Sequence, residues 1–249
     1  MATGAEFDAG YLRWRASEAH AALIGEGLPT RVQPFSFVPL AGLASVLDAL
    51  ALSPGQTLVD LGCGRGGPGL WLAEQARARL IGVDASRVAV ADARQRQHLF
   101  PTVPHACFTV AEVATTGLPD ACAHAVVSID VLQLVDDQPA MAREAVRLLR
   151  PGGRLALTTW EGSGSAPQRF PRDLAGLLAD AGLRVDAIVE QPAWAKRQYD
   201  IYARAAAAAE AGGDPAVEDL AAEGRRAQAW RHAVRRVLVT AHHPASPQP

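Results

Sequence analysis

Residues 57–73 read Thr57-Leu-Val-Asp-Leu-Gly-Cys-Gly-Arg-Gly-Gly-Pro-Gly-Leu-Trp-Leu-Ala73, and this stretch decides the fold of the chain. An apolar run ends in a glycine cluster, and a helical pattern begins directly after it. This order predicts a strand, a tight turn and a helix N-terminus, which is where doubly wound sheets bind nucleotide-like ligands. Gly62, Gly64 and Gly67 satisfy the pattern G-x-G-x-x-G, a pattern that by itself occurs in many folds.

Two carboxylates near this turn indicate the kind of ligand. Asp60 stands two residues before the first glycine, where it would repel the pyrophosphate of a dinucleotide and attract a cationic group. S-Adenosylmethionine (SAM) carries an ammonium group and a sulfonium cation and has no phosphate, so the pattern favours SAM over NAD. Asp84 ends a second apolar run, and at the tip of the second strand it can accept both ribose hydroxyls of the ligand.

Three motifs, in this order and spacing, resemble those of the class I SAM-dependent methyltransferases: Val59-Asp-Leu-Gly-Cys-Gly64, Gly82-Val-Asp-Ala-Ser86 and Leu149-Arg-Pro-Gly-Gly-Arg-Leu155. The resemblance extends over residues 35–190 and is to bacterial small-molecule methyltransferases of the UbiE and cyclopropane-synthase type. It implies an α/β fold with a doubly wound, seven-stranded, mostly parallel Rossmann-like sheet and helical cap elements. It also implies SAM as the cofactor and S-adenosylhomocysteine as its product.

The same resemblance assigns cofactor contacts residue by residue. Ala85 and Ser86 are expected along the adenine, and Glu112 stands where the family usually has an aspartate that accepts the adenine amino group. Val113 would offer its backbone N–H to the adenine ring, and Gln133 stands near the active centre of the family. The complete set of predicted cofactor residues is Asp60, Gly62, Cys63, Gly64, Asp84, Ala85, Ser86, Glu112, Val113, Ile129 and Gln133.

Composition limits the function. The formal net charge of −2 argues against an enzyme held on nucleic acid by phosphate contacts. No run is long and apolar enough for a membrane span, and the N-terminus has no secretory pattern. The three cysteines have no metal-ligand spacing, so we expect no metal site, no disulfide framework and a cytoplasmic protein. The expected partner is a small-molecule substrate, and the protein is expected to be a monomer or a homodimer.

Together with the patterning, the resemblance implies a single methyltransferase domain over residues 1–249. It comprises an N-terminal helical lid at 1–50, a SAM-binding core at 51–191, a helical cap insertion at 192–230, and a last strand and tail at 231–249. The insertion is either a substrate cap or an oligomer contact, and we favour the cap. The predicted strands are 57–61, 79–83, 106–110, 125–130, 154–159, 183–190 and 234–241. The predicted helices outside the insertion are 6–27, 40–50, 68–77, 86–98, 136–149 and 173–181.

Aromatic side chains in the lid, at the sheet rim and in the cap are candidates for the substrate wall, although each could instead serve only to pack its element. These predicted substrate-binding residues are Tyr11, Trp14, Phe35, Phe37, Trp160, Trp194 and Tyr199. His20, on the lid helix, is the histidine to test first as a catalytic base, and the alternative is a helix-packing histidine. A base is needed only if the acceptor is protonated.

Three hypotheses follow. The first is methyl transfer to a small molecule, with the natural products of bacterial specialised metabolism as the candidate acceptors. The second is a non-methylating reaction on the same fold, a cyclisation or a rearrangement with SAM bound or absent, because a fold does not determine the reaction. The third, a modifier of protein or RNA, is disfavoured by the net charge and by the lack of an appended recognition domain.

Overall fold

The computed structural model describes residues 4–245, and the strands of this part of the chain form one seven-stranded sheet. The order across the sheet is β3-β2-β1-β4-β5-β7-β6, and every pairing is parallel except the two made by β7. This confirms the predicted doubly wound α/β fold. The strands are β1 Thr57–Leu61, β2 Arg79–Asp84, β3 Ala106–Val110, β4 Ala123–Ile129, β5 Leu149–Gly162, β6 Arg184–Glu190 and β7 Val234–His242.

Helices cover both faces of this sheet. Buried side chains of α3, α4 and α5 share one apolar cluster with one face, and those of α6 and α7 share another cluster with the opposite face. Burial of these two surfaces is the main stabilising contribution in a fold of this kind. The helices are α1 Gly4–Arg15, α2 Glu18–Gly25, α3 Leu40–Leu50, α4 Gly67–Ala76, α5 Arg87–Arg96, α6 Gln138–Leu148, α7 Leu174–Asp180, α8 Pro192–Glu210 and α9 Pro215–Gln228.

The single N-terminal helix predicted over residues 6–27 is wrong, because the chain breaks between α1 and α2. Ser17 has an extended backbone, and its side-chain oxygen accepts a hydrogen bond from the backbone N–H of His20 at 2.9 Å. The Ser17 hydroxyl also donates to Asp214 at 2.6 Å. Serine at this position caps a new helix more favourably than it continues the old one, so the chain forms two short helices here.

A third apolar cluster joins the N-terminal helices to α8 and α9. Ile24 of α2, Trp160 of β5 and Tyr202 of α8 belong to it, together with buried residues of α9. Polar contacts add to this packing: Arg13 of α1 forms an ion pair with Asp219 of α9 at 2.8 Å. The N-terminal helices and the α8–α9 pair therefore pack against each other beside the carboxyl ends of the central strands. The division into lid, core and cap remains a prediction.

Strand β5 is longer than predicted, since it runs from Leu149 to Gly162 where residues 154–159 were expected. Its pairing with β7 continues in register through Trp160, which lies opposite Arg236. Hydrogen bonding to an antiparallel neighbour therefore carries the strand past the polar residue Glu161. As a consequence, Trp160 lies within the paired part of β5 and lines the cavity described below.

Candidate active site

The turn after β1 requires glycine at two positions. Gly62 has φ +78° and Gly64 has φ +51°, a backbone region that side chains disfavour. A Cβ atom built on Gly62 would lie 2.3 Å from a methyl carbon of Val131, and one on Gly64 would lie 2.9 Å from the Tyr11 hydroxyl. The absence of side chains lets Val131 and Tyr11 approach the turn and leaves the backbone accessible at the cavity wall.

Asp84 is held fixed at the end of β2. Its carboxylate accepts hydrogen bonds from the backbone N–H of Gly64 at 2.8 Å and of Ser86 at 2.9 Å. Burial raises the pKa of Asp84, and the two backbone hydrogen bonds partly oppose that effect by stabilising the ionised form. Because each carboxylate oxygen can accept two hydrogen bonds, Asp84 keeps acceptor capacity for a ligand while its position is set by the backbone.

Asp60 is a buried carboxylate without a hydrogen-bond partner among residues 4–245. Its side chain is 3% exposed, and it lines the cavity next to Gly62. Burial, and secondarily the negative charge of Asp84, raises the pKa of Asp60 to about 7. Buried polar groups nearly always have partners, so an unpaired carboxylate at a cavity wall is suited to a cationic or hydrogen-bond-donating ligand.

The glycine turn, Asp60 and Asp84 all line one continuous cavity of about 800 Å³. Its walls come from α1, α2, the loop before α3, the carboxyl ends of β1, β2 and β4, and helix α9. All the predicted cofactor residues except Ser86 line it. Ser86 is fully buried and caps α5, its hydroxyl accepting from the N–H of Ala89 at 3.0 Å and donating to Asp8, so its side chain lies outside the cavity.

Five of the seven predicted substrate residues line the same cavity, and together they form its aromatic wall: Tyr11, Trp14, Phe35, Phe37 and Trp160. Phe35 is central to the N-terminal part of this wall, with ring centroids 4.8 Å from Tyr11 and 4.9 Å from Trp14. Such rings offer a large apolar surface at low conformational cost. Whether they touch a substrate remains a prediction.

Trp194 and Tyr199 do not line the cavity, contrary to the prediction. Trp194 packs onto α3, where a Cβ atom on Gly42 would lie 2.7 Å from its ring. Tyr199 is buried beneath Trp160, with ring centroids 6.2 Å apart, and Arg231 lies 4.4 Å above its ring. Both side chains lie on the side of α8 that faces the protein core, and a helical pattern alone does not distinguish a core-facing aromatic from a cavity-facing one.

His20 lines the cavity and lies parallel to the Trp14 ring at 6.0 Å. Burial lowers its pKa to about 4, against the opposing influence of Asp214 and Asp219. The imidazole is therefore neutral at pH 7, and as a base it is weaker than an ordinary histidine. The catalytic role predicted for His20 has no further support in this geometry.

A polar network that sequence analysis missed extends from β4 to the cap helices. Asp130 follows β4 with φ +60°, and its carboxylate accepts from the Thr158 hydroxyl at 2.9 Å and from Arg236. The Arg236 side chain is almost fully buried, and it also donates to the side-chain oxygen of Gln198. Asp130 and Gln198 line the cavity, so this ion pair connects the sheet to helix α8 at the cavity wall.

The network continues to α9. The Gln198 amide donates to the Tyr202 hydroxyl at 2.6 Å, and that hydroxyl donates to Glu223 at 2.7 Å. One signal in the sequence could have led to this network: Arg235 and Arg236 are adjacent in an apolar strand, and alternation turns one of them inward. The partner of the inward arginine, Asp130, is 106 residues away, and only the folded chain identifies it.

Residues 59–157 match the family described as a methyltransferase domain. Over residues 59–157, the chain carries a methyltransferase domain. This confirms the resemblance drawn from the three motifs, and the matched residues span β1 to β5 with Asp60, Asp84, Glu112 and Gln133 among them.

Relatives of this methyltransferase domain include plant and bacterial enzymes. Phosphoethanolamine N-methyltransferase of Triticum aestivum is 31% identical over 133 residues, which are 52% of this chain and 26% of that protein. The 27-O-demethylrifamycin SV methyltransferase of Amycolatopsis mediterranei is 33% identical over 108 residues, 43% of this chain and 40% of the relative. The chain thus matches less than half the length of either relative.

Among solved structures, the cyclase SpnF has the same fold. The two chains superpose with a TM-score of 0.67 at 23% identity, over 82% of this chain and 80% of SpnF. At this level of identity the likeness concerns the fold alone. Within residues 4–245, no helix combines the length and the apolar character needed to cross a membrane, and no three His, Cys, Asp or Glu side chains are placed to hold a metal ion.

Proposed function

We propose that the protein is a SAM-dependent methyltransferase acting on a small molecule that binds between the N-terminal helices and α9. The observation that carries this proposal is the cavity of about 800 Å³, in which the glycine turn and two carboxylates of the methyltransferase motifs share one space with an aromatic wall. Volumes of this size are typical of small-molecule sites. A macromolecular acceptor fits this arrangement less well.

The residues present fit SAM. The unpaired Asp60 carboxylate suits the cationic end of the cofactor, and Asp84, held by two backbone N–H groups, can accept the ribose hydroxyls. A Cβ atom on Gly62 or Gly64 would meet neighbouring side chains. Because neither residue carries one, a ligand can lie close to the backbone of the glycine turn. When bound, SAM would supply an electrophilic methyl group, and the role of this chain is to orient the acceptor and exclude water.

The acceptor class is proposed from the walls and from the relatives. Aromatic side chains such as Trp14, Phe35 and Trp160 offer an apolar surface, which suits an acceptor with a substantial hydrocarbon or aromatic part. The name of the Amycolatopsis relative refers to a rifamycin, which supports a bacterial specialised metabolite as the acceptor. The charge of −2 supports a small molecule over a nucleic acid.

Calorimetric titration with S-adenosylhomocysteine, with NAD as the control ligand, tests the cofactor. We expect micromolar binding of the first ligand and none of the second. Asp60→Ala and Asp84→Ala should each weaken binding by at least about 1.5 kcal/mol, roughly tenfold, because each removes a charged hydrogen-bond acceptor. The control variant is Asp180→Ala, because Asp180 is an exposed aspartate at the end of α7 and lies outside the cavity. This variant should bind S-adenosylhomocysteine as the wild type does. Absence of any binding would overturn the proposal.

The alternative reaction, a cyclisation or rearrangement on the same fold, is separated from methyl transfer by product mass. SpnF, which is named a cyclase, shares the fold, and this observation favours keeping cyclisation as the second candidate reaction. Candidate acceptors incubated with the protein and SAM should gain the mass of one methyl group, and S-adenosylhomocysteine should accumulate in equal amount. A product of unchanged mass, formed without consumption of SAM, would favour the alternative.

A further inference from the structure

Glu223 of α9 is an acidic residue that the cofactor assignment leaves unused. It lines the cavity, and water in the cavity reaches its side chain. One oxygen, Oε1, accepts a hydrogen bond from the Tyr202 hydroxyl at 2.7 Å. The other oxygen, Oε2, has no hydrogen-bond partner among residues 4–245. The carboxylate is thus oriented by Tyr202 and keeps one oxygen available to a ligand.

The surroundings of Glu223 raise the pKa of its carboxyl group above the ordinary value of a glutamate. The side chain is open to water and lines the cavity, and desolvation by the nearby protein atoms raises its pKa, against smaller opposing influences from the Tyr202 hydrogen bond, Arg226 and Arg169. The negative charge of Asp130 acts in the raising direction. Since a general base is most effective when its pKa approaches the working pH, these groups move Glu223 toward that role.

Three other cavity groups are less suited to accept a proton. The Asp130 carboxylate is paired with the buried Arg236 guanidinium and also accepts from the Thr158 hydroxyl. The pKa of His20 is lowered to about 4 by burial. Asp60 lies at the glycine turn, where the proposed cofactor binds. Glu223 therefore combines a free oxygen, a fixed orientation and a position in the acceptor part of the cavity.

We propose that Glu223 binds the hydroxyl group of the acceptor and takes its proton during methyl transfer, so the acceptor is an alcohol or a phenol. This rests on the proposed function. The acceptor oxygen forms a bond to the methyl carbon, the methyl–sulfur bond of SAM breaks with its electron pair going to sulfur, and the hydroxyl proton moves to Oε2 of Glu223. The carboxylate becomes a carboxylic acid, and the charges balance.

The neighbouring charges favour a neutral hydroxyl over an ionised acceptor. Arg226 and Arg169 both interact with Glu223, and a cationic amine brought to the same place would meet these two positive charges. An anionic acceptor would meet the negative charge of Glu223 itself. A hydroxyl group has neither conflict, and it supplies the one hydrogen-bond donor that Oε2 lacks.

The test is to titrate the Glu223 carboxyl group by NMR in protein labelled with ¹³C at the glutamate carboxyl carbon, using phenol as the hydroxyl probe. The resonance is assigned by its loss in Glu223→Gln, and in Glu223→Asp should the first variant fold poorly. It should persist in the control Glu218→Gln, which changes an exposed glutamate of the same helix outside the cavity. The measurement is repeated with S-adenosylhomocysteine and without it.

Phenol should lower the titration midpoint of Glu223 by about one pH unit, because a hydroxyl donor stabilises the ionised carboxylate. Anisole, which has the same ring and no hydroxyl hydrogen, should leave the midpoint unchanged. An absent phenol shift, or an equal shift with anisole, would overturn the proposal. If S-adenosylhomocysteine fails to bind while the phenol shift persists, the proposed function and its proton-transfer step are wrong. The hydroxyl-binding site at Glu223 is then still supported.

Discussion

At the scale of single residues, the carboxylates at the ends of β1 and β2 govern ligand binding. Asp84 is hydrogen-bonded by the backbone and Asp60 is not. The two side chains repel each other electrostatically, and both lie within the protein. A free protein therefore keeps Asp60 partly protonated near neutral pH, and a cationic ligand would favour its ionised form.

This difference predicts the pH dependence of cofactor affinity. Since the pKa of Asp60 is about 7 in the free protein, binding of S-adenosylhomocysteine below pH 7 must expel a proton from Asp60. Affinity should thus rise by up to about tenfold per pH unit between pH 5 and 7 and level off above. Calorimetry across this range measures it. Asp60→Asn should remove most of the dependence, and an unchanged slope in that variant would show that another group is responsible.

The free energy of unfolding should also depend on Asp60, but this contribution should fall as pH rises, whereas the cofactor affinity should increase. The folded-state pKa of Asp60, about 7, exceeds the ordinary value of 3.8, so the folded protein holds a proton that the unfolded chain loses. The contribution of Asp60 to the free energy of unfolding therefore falls as pH rises from about 4 to about 7. The free energy of unfolding of Asp60→Asn, taken relative to that of the wild type, should therefore be about 2–3 kcal/mol higher at pH 8 than at pH 5.

Urea denaturation at the two pH values measures this gain. The control Asp180→Asn removes an exposed carboxylate and should stay within about 0.5 kcal/mol of the wild type at both. Parallel pH profiles for the wild type and Asp60→Asn would contradict the assignment of the raised pKa to Asp60.

At the scale of elements, Ser17 separates the two N-terminal helices. Its side chain caps α2 and reaches Asp214 before α9, so one residue joins the N-terminal segment to the cap. Ser17→Ala should lower the free energy of unfolding by about 1 kcal/mol, the usual effect of losing an N-cap, with some further loss from the Asp214 contact.

The matched control is Ser45→Ala on α3. The Ser45 hydroxyl donates only to the carbonyl of Ala41 in its own helix and is exposed, so its removal should change stability by less than about 0.5 kcal/mol. The urea denaturation midpoints of the two variants and of the wild type measure the loss of stability in each variant. Equal effects at Ser17 and Ser45 would show that the cap does not stabilise the junction.

At the scale of the whole molecule, the ion pair between Arg236 and Asp130 connects the sheet with the helical cap. Arg236 is buried, donates to both Asp130 and Gln198, and lies over Trp160 at 5.5 Å. Arg236→Ala should lower the free energy of unfolding by about 3–5 kcal/mol, because it leaves the partners of a buried ion pair without their counter-charge.

The neighbouring arginine provides the control. Arg235 lies one residue earlier on the same strand and pairs with Glu161 at 2.5 Å, with 46% of its side chain exposed. Arg235→Ala should cost no more than about 1 kcal/mol, the usual value for a pair open to water. Chemical denaturation compares the two variants directly, and a similar loss in both would contradict a special role for the buried pair.

Much of the fold was predictable from the sequence because local patterns determine it. Apolar runs bounded by turns gave all seven strands, and the bounds of β1, β3 and α3 agree with the prediction. The errors come from interactions outside the repeating patterns: the cap at Ser17 divided a predicted helix, and pairing with β7 lengthened β5. Neither a helical period nor a strand period carries information about such interactions.

By itself, the sequence determined the class of fold and the cofactor end of the candidate site, because the glycines, Asp60 and Asp84 lie close together along two consecutive strand–helix units. The acceptor end was decided only by tertiary structure. Asp130, Arg236 and Glu223 come from distant parts of the chain and meet through long-range packing. Packing of the whole molecule also decides which aromatic side chain faces the cavity: Trp160 lines it from β5, whereas Trp194 of α8 packs onto α3.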